Sequence, residues 1–161
     1  MANNSIYYGI FKSSDYGPIL LGLCREKIAF LGLTDDPQEM RSHYKTNLFV
    51  QDREKTRPFF DALFKEKIPK TDLFFTGTKF QHEVWQALLN IPRGETRSYS
   101  EVAHAIDRPK AVRAVGTAIG YNPISLLIPC HRVLCSNGAI GNYRWGSPLK
   151  KKLLDYEKYP I

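Results

Sequence analysis

Ser98-Tyr99-Ser100-Glu101-Val102-Ala103-His104-Ala105-Ile106-Asp107-Arg108-Pro109-Lys110-Ala111-Val112-Arg113-Ala114-Val115-Gly116-Thr117-Ala118-Ile119 is the stretch that decides the fold. Ser98 or Ser100 can cap a short helix carrying Val102, Ala103 and Ile106, since a serine oxygen accepts a backbone N–H at a helix start. Asp107-Arg108-Pro109 reads as a turn, and Lys110 to Ile119 as a second short helix. Two short helices joined by a tight turn describe a helix-turn-helix unit. The surface of the second helix is smooth, with Ala114, Gly116, Thr117 and Ala118 all small. Such a surface can press against a neighbouring helix or against DNA, and spacing alone leaves both readings standing.

Upstream, residues 79–91 place Phe80, Val84, Ala87, Leu88 and Ile91 at helical spacing before Pro92-Arg93-Gly94 ends the pattern. Thr71 to Thr78 reads as a boundary between a domain at 1–76 and another at 77–161. In the first, Ser5 to Phe11, Gly17 to Arg25 and Lys27 to Leu33 predict a small antiparallel meander. Asp36-Pro37 opens a short helix, and residues 53–66 put Phe59, Phe60, Leu63 and Phe64 on one helical face. The first domain is thus read as α/β and structural. The second is mainly helical. Ser147-Pro148 starts its last helix, in which Lys150, Lys151 and Lys152 are expected to form a solvated face and Glu157 falls near the end.

Between the helix-turn-helix and that last helix lies the chemistry. Gly120-Tyr121-Asn122-Pro123 is a turn, and Ser125 to Ile128 is expected to be extended and buried, delivering Pro129-Cys130-His131-Arg132-Val133. A thiolate is the reactive form of cysteine, and an adjacent imidazole and guanidinium favour it. A Cys-His pair alone is weak evidence, because an intracellular cysteine is more often a small buried hydrophobe.

Charge and cysteine usage bound the function. The net charge is +7, and it is unevenly placed. Residues 1–76 hold 11 Lys/Arg against 10 Asp/Glu, whereas residues 77–161 hold 12 against 6. A basic half suits a polyanionic partner, since each cation that meets a phosphate releases a counterion. Three cysteines, Cys24, Cys130 and Cys135, match neither a disulfide framework nor a zinc pattern, and point to a reducing compartment. No apolar run is long enough to span a bilayer, and Met1-Ala2-Asn3-Asn4-Ser5 does not open a signal peptide. The expectation is a cytoplasmic protein, or a nuclear one in a eukaryote.

Phe80 to Leu88, Ile91-Pro92-Arg93-Gly94-Glu95-Thr96, Pro109 to Gly116, Ile128 to Val133 and Gly141-Asn142-Tyr143 together resemble the 6-O-alkylguanine-DNA alkyltransferases, or methylated-DNA–protein-cysteine methyltransferases. The resemblance runs from about Gly77 to Glu157, and the first half resembles the family's small α/β domain more loosely. It implies a winged-helix-like second domain that works without metal or cofactor. Cys130 would be the permanent acceptor of the alkyl group, His131 its base through water, and Glu157 the support of the imidazolium. Asn122 would brace the turn carrying the site, and Tyr99 would protonate or hydrogen-bond the departing base.

The same resemblance gives the smooth helix a task. It would enter the minor groove of alkylated double-stranded DNA with Ala114, Gly116 and Thr117 close to the backbone. Arg113 would fill the space left by a flipped base, and Tyr99 would crowd the phosphate. Tyr143 would stack on that base, in a pocket with Ile119, Val133, Arg144 and Trp145. The implied substrate is 6-O-methylguanine, with 4-O-methylthymine a second one, and each molecule would act once. The protein is expected to be a monomer, with cooperative assembly on DNA left open. Two positions depart from some relatives, which have a small residue in place of Trp145 or a proline in place of Ser125. A tryptophan at the pocket mouth would restrict bulky alkyl groups, unless it packs inward. The rivals are an alkyltransferase-like lesion sensor, which lacks the acceptor cysteine, and a transcription regulator without chemistry.

Overall fold

The two capping boxes at Thr78 and Ser98 illustrate how locally this fold is encoded. In the computed structural model, which describes residues 4–45, 48–65 and 67–158, helix α3 (Lys79–Leu89) begins at Thr78. Thr78 accepts the Gln81 N–H at 3.1 Å while the Gln81 side chain takes the Thr78 N–H at 3.0 Å. The same reciprocal bonds link Ser98 and Glu101, so Ser98 rather than Ser100 starts helix α4 (Tyr99–Ala105).

The chain divides into two compact units, residues 1–75 and 76–161. In the first, β1 (Ile6–Ser13), β2 (Gly17–Cys24) and β3 (Lys27–Gly32) form the antiparallel meander. Arg25 and Glu26 both have positive φ, 52° and 61°, the geometry that lets a two-residue turn follow the twist of its strands. The sheet is mixed rather than purely antiparallel. A short strand β4 (Phe49–Gln51) pairs parallel with β1, giving the order β3-β2-β1-β4. Three residues with only half-buried Phe49 carry too little periodicity to be read beforehand. Helices α1 (Pro37–Arg41), capped by Asp36, and α2 (Arg53–Leu63), capped by Asp52, pack on this sheet. Met40 joins Ile6, Tyr8, Leu20 and Phe30 in a buried cluster, and Phe60 stacks on Phe11 with ring centroids 4.5 Å apart.

The second unit is built on α3, α4 and α5 (Val112–Gly120). The turn between α4 and α5 closes with Asp107 at φ 58°, its N–H on the His104 carbonyl and the Arg108 N–H on the Ala103 carbonyl. That pair of bonds is a Schellman cap, with an aspartate in the left-handed position more often held by glycine. Helix α5 starts two residues later than the sequence suggests, because Ala111 offers no side-chain cap and Arg108 to Ala111 form a turn. Trp85 of α3, 1% exposed, donates its indole N–H to the Ala118 carbonyl of α5 at 2.9 Å and so fixes the helix pair. Two short strands, β5 (Arg97–Ser98) and β6 (Val133–Leu134), pair parallel, and α6 (Ser147–Glu157) closes the unit.

The expected extended run at Ser125 to Ile128 is instead a tight turn. Leu126 has φ 72°, and the Ile128 N–H returns to the Ile124 carbonyl at 2.9 Å. Asn122 is the reason. Its Oδ1 takes the Ile124 N–H at 2.9 Å and its Nδ2 donates to the Ile128 carbonyl at 2.7 Å, drawing the ends of the run together. Among the described residues no helix is long and apolar enough to cross a membrane.

Candidate active site

Cys130 follows directly from that turn. Its N–H donates to the Ile128 carbonyl at 2.7 Å, and Cys130–Arg132 form one turn of 3₁₀ helix before Val133 enters β6. Because β6 pairs with β5, and Tyr99 comes directly after β5, the ladder brings Tyr99 to the same place as the thiol. Cys130 is 7% exposed and lies in a cavity of about 290 Å³ lined by Tyr99, Gly116, Ile119, Ser125, Tyr143 and Arg144, among others. A larger groove of about 1120 Å³ runs between α3 and α4 but contains no cysteine. Of the two, the smaller holds the thiol.

His131 is buried at 1% exposure and is held by α6. Its Nε2 lies 2.6 Å from Glu157 Oε1. Arg132 grips the same carboxylate with two bonds, Nε to Oε2 at 2.9 Å and Nη2 to Oε1 at 2.8 Å, and donates Nη1 to the Ile91 carbonyl at 2.7 Å. Burial would raise the Glu157 carboxyl, but the hydrogen bonds and charges of His131 and Arg132 outweigh it and hold the group down to about 2. Glu157 is therefore an acceptor only, so Nε2 carries a proton and the neutral ring has its lone pair on Nδ1. That Nδ1 is buried and has no hydrogen-bond partner among the described residues. Burial pushes the Cys130 thiol up, opposed by hydrogen bonds from Asn122 and Ser125 and by the charge of Lys150.

Lys150 corrects the expected solvated face. Lys151 and Lys152 are exposed, but Lys150 is fully buried. Its Nζ donates to the Asn142 carbonyl at 3.3 Å and lies 6.0 Å from the Tyr99 ring centroid. Burial lowers its pKa, against the pull of Cys130 and Cys135. A signal was present in the sequence, since Lys150, Leu153 and Glu157 recur at the helical spacing of one face. The bonds of Arg132 to Glu157 and Ile91, and of Ser125 to Trp145, span 20 residues or more, too far along the chain for any local pattern to show.

The remaining residues separate into two groups. On α5, Arg113, Ala114 and Thr117 are exposed, while Gly116 and Ile119 face the cavity. Tyr143 lines the cavity with a buried hydroxyl that lacks a partner among the described residues. Val133 is fully buried and anchors β6 rather than lining the cavity. Trp145 does not line it either. Its indole N–H is bound to Ser125 Oγ at 2.8 Å, with the Arg144 guanidinium 5.2 Å from its ring centroid. Among the described residues no group of three or more His, Cys, Asp or Glu side chains could hold a metal.

A helix-turn-helix unit with a recessed thiol, backed by a buried imidazole and carboxylate, defines the class, and comparison with known proteins gives the family. The DNA binding domain of 6-O-methylguanine DNA methyltransferase matches residues 79–159. The inducible methylated-DNA–protein-cysteine methyltransferase of Bacillus subtilis is 36% identical over 96% of this chain and 91% of its own length. The methylated-DNA–protein-cysteine methyltransferase of Methanosarcina mazei is 39% identical over 95% and 98%. A crystal structure of Mycobacterium tuberculosis OGT in complex with DNA gives a TM-score of 0.79 at 36% identity, covering 94% of this chain and 92% of that one. The chain belongs to the methylated-DNA–protein-cysteine methyltransferase family.

Proposed function

We propose that this protein reverses alkylation damage in DNA by moving the alkyl group of 6-O-methylguanine, and of 4-O-methylthymine, onto Cys130. The observation that carries the reading is the depth of the thiol. Cys130 is 7% exposed within a cavity beside Gly116 and Ile119 of α5. A base stacked in a duplex cannot reach such a thiol, so the damaged nucleotide must be turned out of the helix, at a cost of a few kcal/mol. Exposed Arg113, Ala114 and Thr117 on α5 suit close approach to the minor groove, with Arg113 taking the place of the lost base.

The step is a displacement at carbon. The thiol proton passes through water to His131 Nδ1, and Glu157 and Arg132 hold the ring by its other nitrogen, which leaves the lone pair of this atom free to accept. The sulfur bonds to the alkyl carbon as the bond from that carbon to guanine O6 breaks, and the electron pair leaves with the base. Tyr99 supplies a proton so that guanine departs neutral, and the thiol proton restores Tyr99 through solvent. The thioether is stable to water. Each monomer therefore acts once, with no metal or cofactor.

The test is to incubate the protein with a duplex carrying one 6-O-methylguanine and to weigh the intact protein and its peptides. One added methylene on the Cys130 peptide, absent from Cys130→Ala, is expected. Tight binding with no mass change would instead mean a lesion sensor.

A further inference from the structure

Asn122 and Ser125 line the same cavity as Cys130, and what each can offer the sulfur follows from its other partners. Asn122 spends its oxygen on the Ile124 N–H and one amide hydrogen on the Ile128 carbonyl. Only its second amide hydrogen is left for the sulfur. Ser125, 1% exposed, has one hydroxyl proton and two lone pairs. Trp145 Nε1 lies 2.8 Å from Ser125 Oγ, and an indole can only donate. With that N–H on the oxygen, the hydroxyl hydrogen is left to turn into the cavity that Ser125 shares with Cys130. Both neighbours of Cys130 are then donors, the arrangement that favours a thiolate over a thiol.

We propose that Trp145 is a positioning residue for alkyl transfer: its indole N–H sets the Ser125 hydroxyl to donate to the Cys130 sulfur, and the same bond fastens the loop carrying Tyr143 and Arg144 to the Cys130 turn. This rests on the reading of Cys130 as the alkyl acceptor and deepens it. Trp145 then governs how reactive the thiol is, apart from any effect on the width of the pocket. The other groups around the sulfur are Lys150 of α6, Tyr99 of α4, Tyr143, Cys135, and His131 with Glu157 and Arg132 behind it. The Trp145 bond reaches none of these. Arg144 lies over the Trp145 ring, so a test must keep an aromatic ring there.

Trp145→Phe keeps the ring and loses only the N–H, while Ser125→Ala loses the hydroxyl. The measurement is the pH profile of Cys130 carboxamidomethylation by iodoacetamide, read on the Cys130 peptide by mass. Both variants are expected to move the midpoint up by about one pH unit, the worth of one hydrogen bond to a charged group. They should keep the wild-type plateau at high pH, where the thiol is ionised regardless. The double variant should shift no further than Ser125→Ala. A Trp145→Phe midpoint equal to that of wild type overturns the proposal. So does a lowered plateau with an unmoved midpoint, which would mean packing only, and so does an additive double variant. The function is tested separately by methyl transfer from the duplex, so wild type could fail there while the midpoint shift still stands.

Discussion

Glu157 holds His131 by its proton-bearing Nε2 at 2.6 Å, which leaves the lone pair of the neutral ring on Nδ1. Arg132 keeps the carboxylate in register with two further bonds, so Glu157 can neither rotate nor readily take a proton. The tautomer of the base is thus set from behind the site.

Replacing Glu157 by Gln should undo this. An amide can donate to Nε2, which moves the ring proton to Nδ1 and removes the base. Transfer from a methylated duplex at neutral pH should slow by about 100-fold, close to the effect of His131→Ala. Single-turnover kinetics of the two variants will show it, and wild-type rates in Glu157→Gln would exclude the tautomer argument.

The same carboxylate makes stability sensitive to acid. Folded Glu157 titrates at about 2, below its ordinary value of 4.5. As pH falls the unfolded chain takes the proton first, so the contribution is full above about 4.5 and is lost by about 2. Urea unfolding across this window should show wild type losing stability more steeply than Glu157→Gln. Parallel curves would show that the pair contributes nothing net.

How much of this was legible in sequence depended on distance along the chain. The capping boxes at Thr78 and Ser98 and the pair Cys130-His131 are local, and each can be read from residues a turn apart. The turn at Ser125 to Ile128 is masked because its apolar residues imitate a buried strand, while the side chain that closes it belongs to Asn122. Lys150 was hidden by its neighbours, since three consecutive lysines suggest solvent unless Glu157 is used to set the helix face. The bond from Trp145 to Ser125 spans 20 residues and has no sequence pattern at all.

Arg113 is exposed on α5 and is not among the residues lining the Cys130 cavity. Arg113→Ala should therefore leave reaction with free 6-O-methylguanine base unchanged and slow reaction with the duplex, where a stacked base must first be displaced. Parallel assays with the two substrates separate these outcomes. Equal slowing of both would place Arg113 in the chemistry instead.

Gly94 has φ 84°, and a Cβ there would lie 3.3 Å from the Glu157 carbonyl oxygen. Gly94→Ala meets both a left-handed backbone, costing about 1–2 kcal/mol, and pressure on the end of α6. The melting temperature should fall by a few degrees, and methyl transfer should slow as Glu157 shifts. Transfer at the wild-type rate in a destabilised variant would show that α6 absorbs the contact without moving the carboxylate.

Lys150 sets stability against reactivity. A fully buried ammonium with one 3.3 Å bond to a carbonyl is poorly solvated, and burial lowers its pKa from 10.5. The unfolded chain holds that proton more tightly, so the charge costs stability below the folded pKa, and the cost disappears above 10.5. Lys150→Met, of similar length, should melt higher than wild type at neutral pH, with the gap closing as pH rises. It also removes the positive charge that favours the Cys130 thiolate. Methyl transfer at neutral pH should slow, and its pH profile should move upward. Calorimetry and single-turnover assays on one preparation will decide. A variant that is less stable but transfers at the wild-type rate, with an unmoved pH profile, would show that Lys150 is a packing residue whose charge the site does not use.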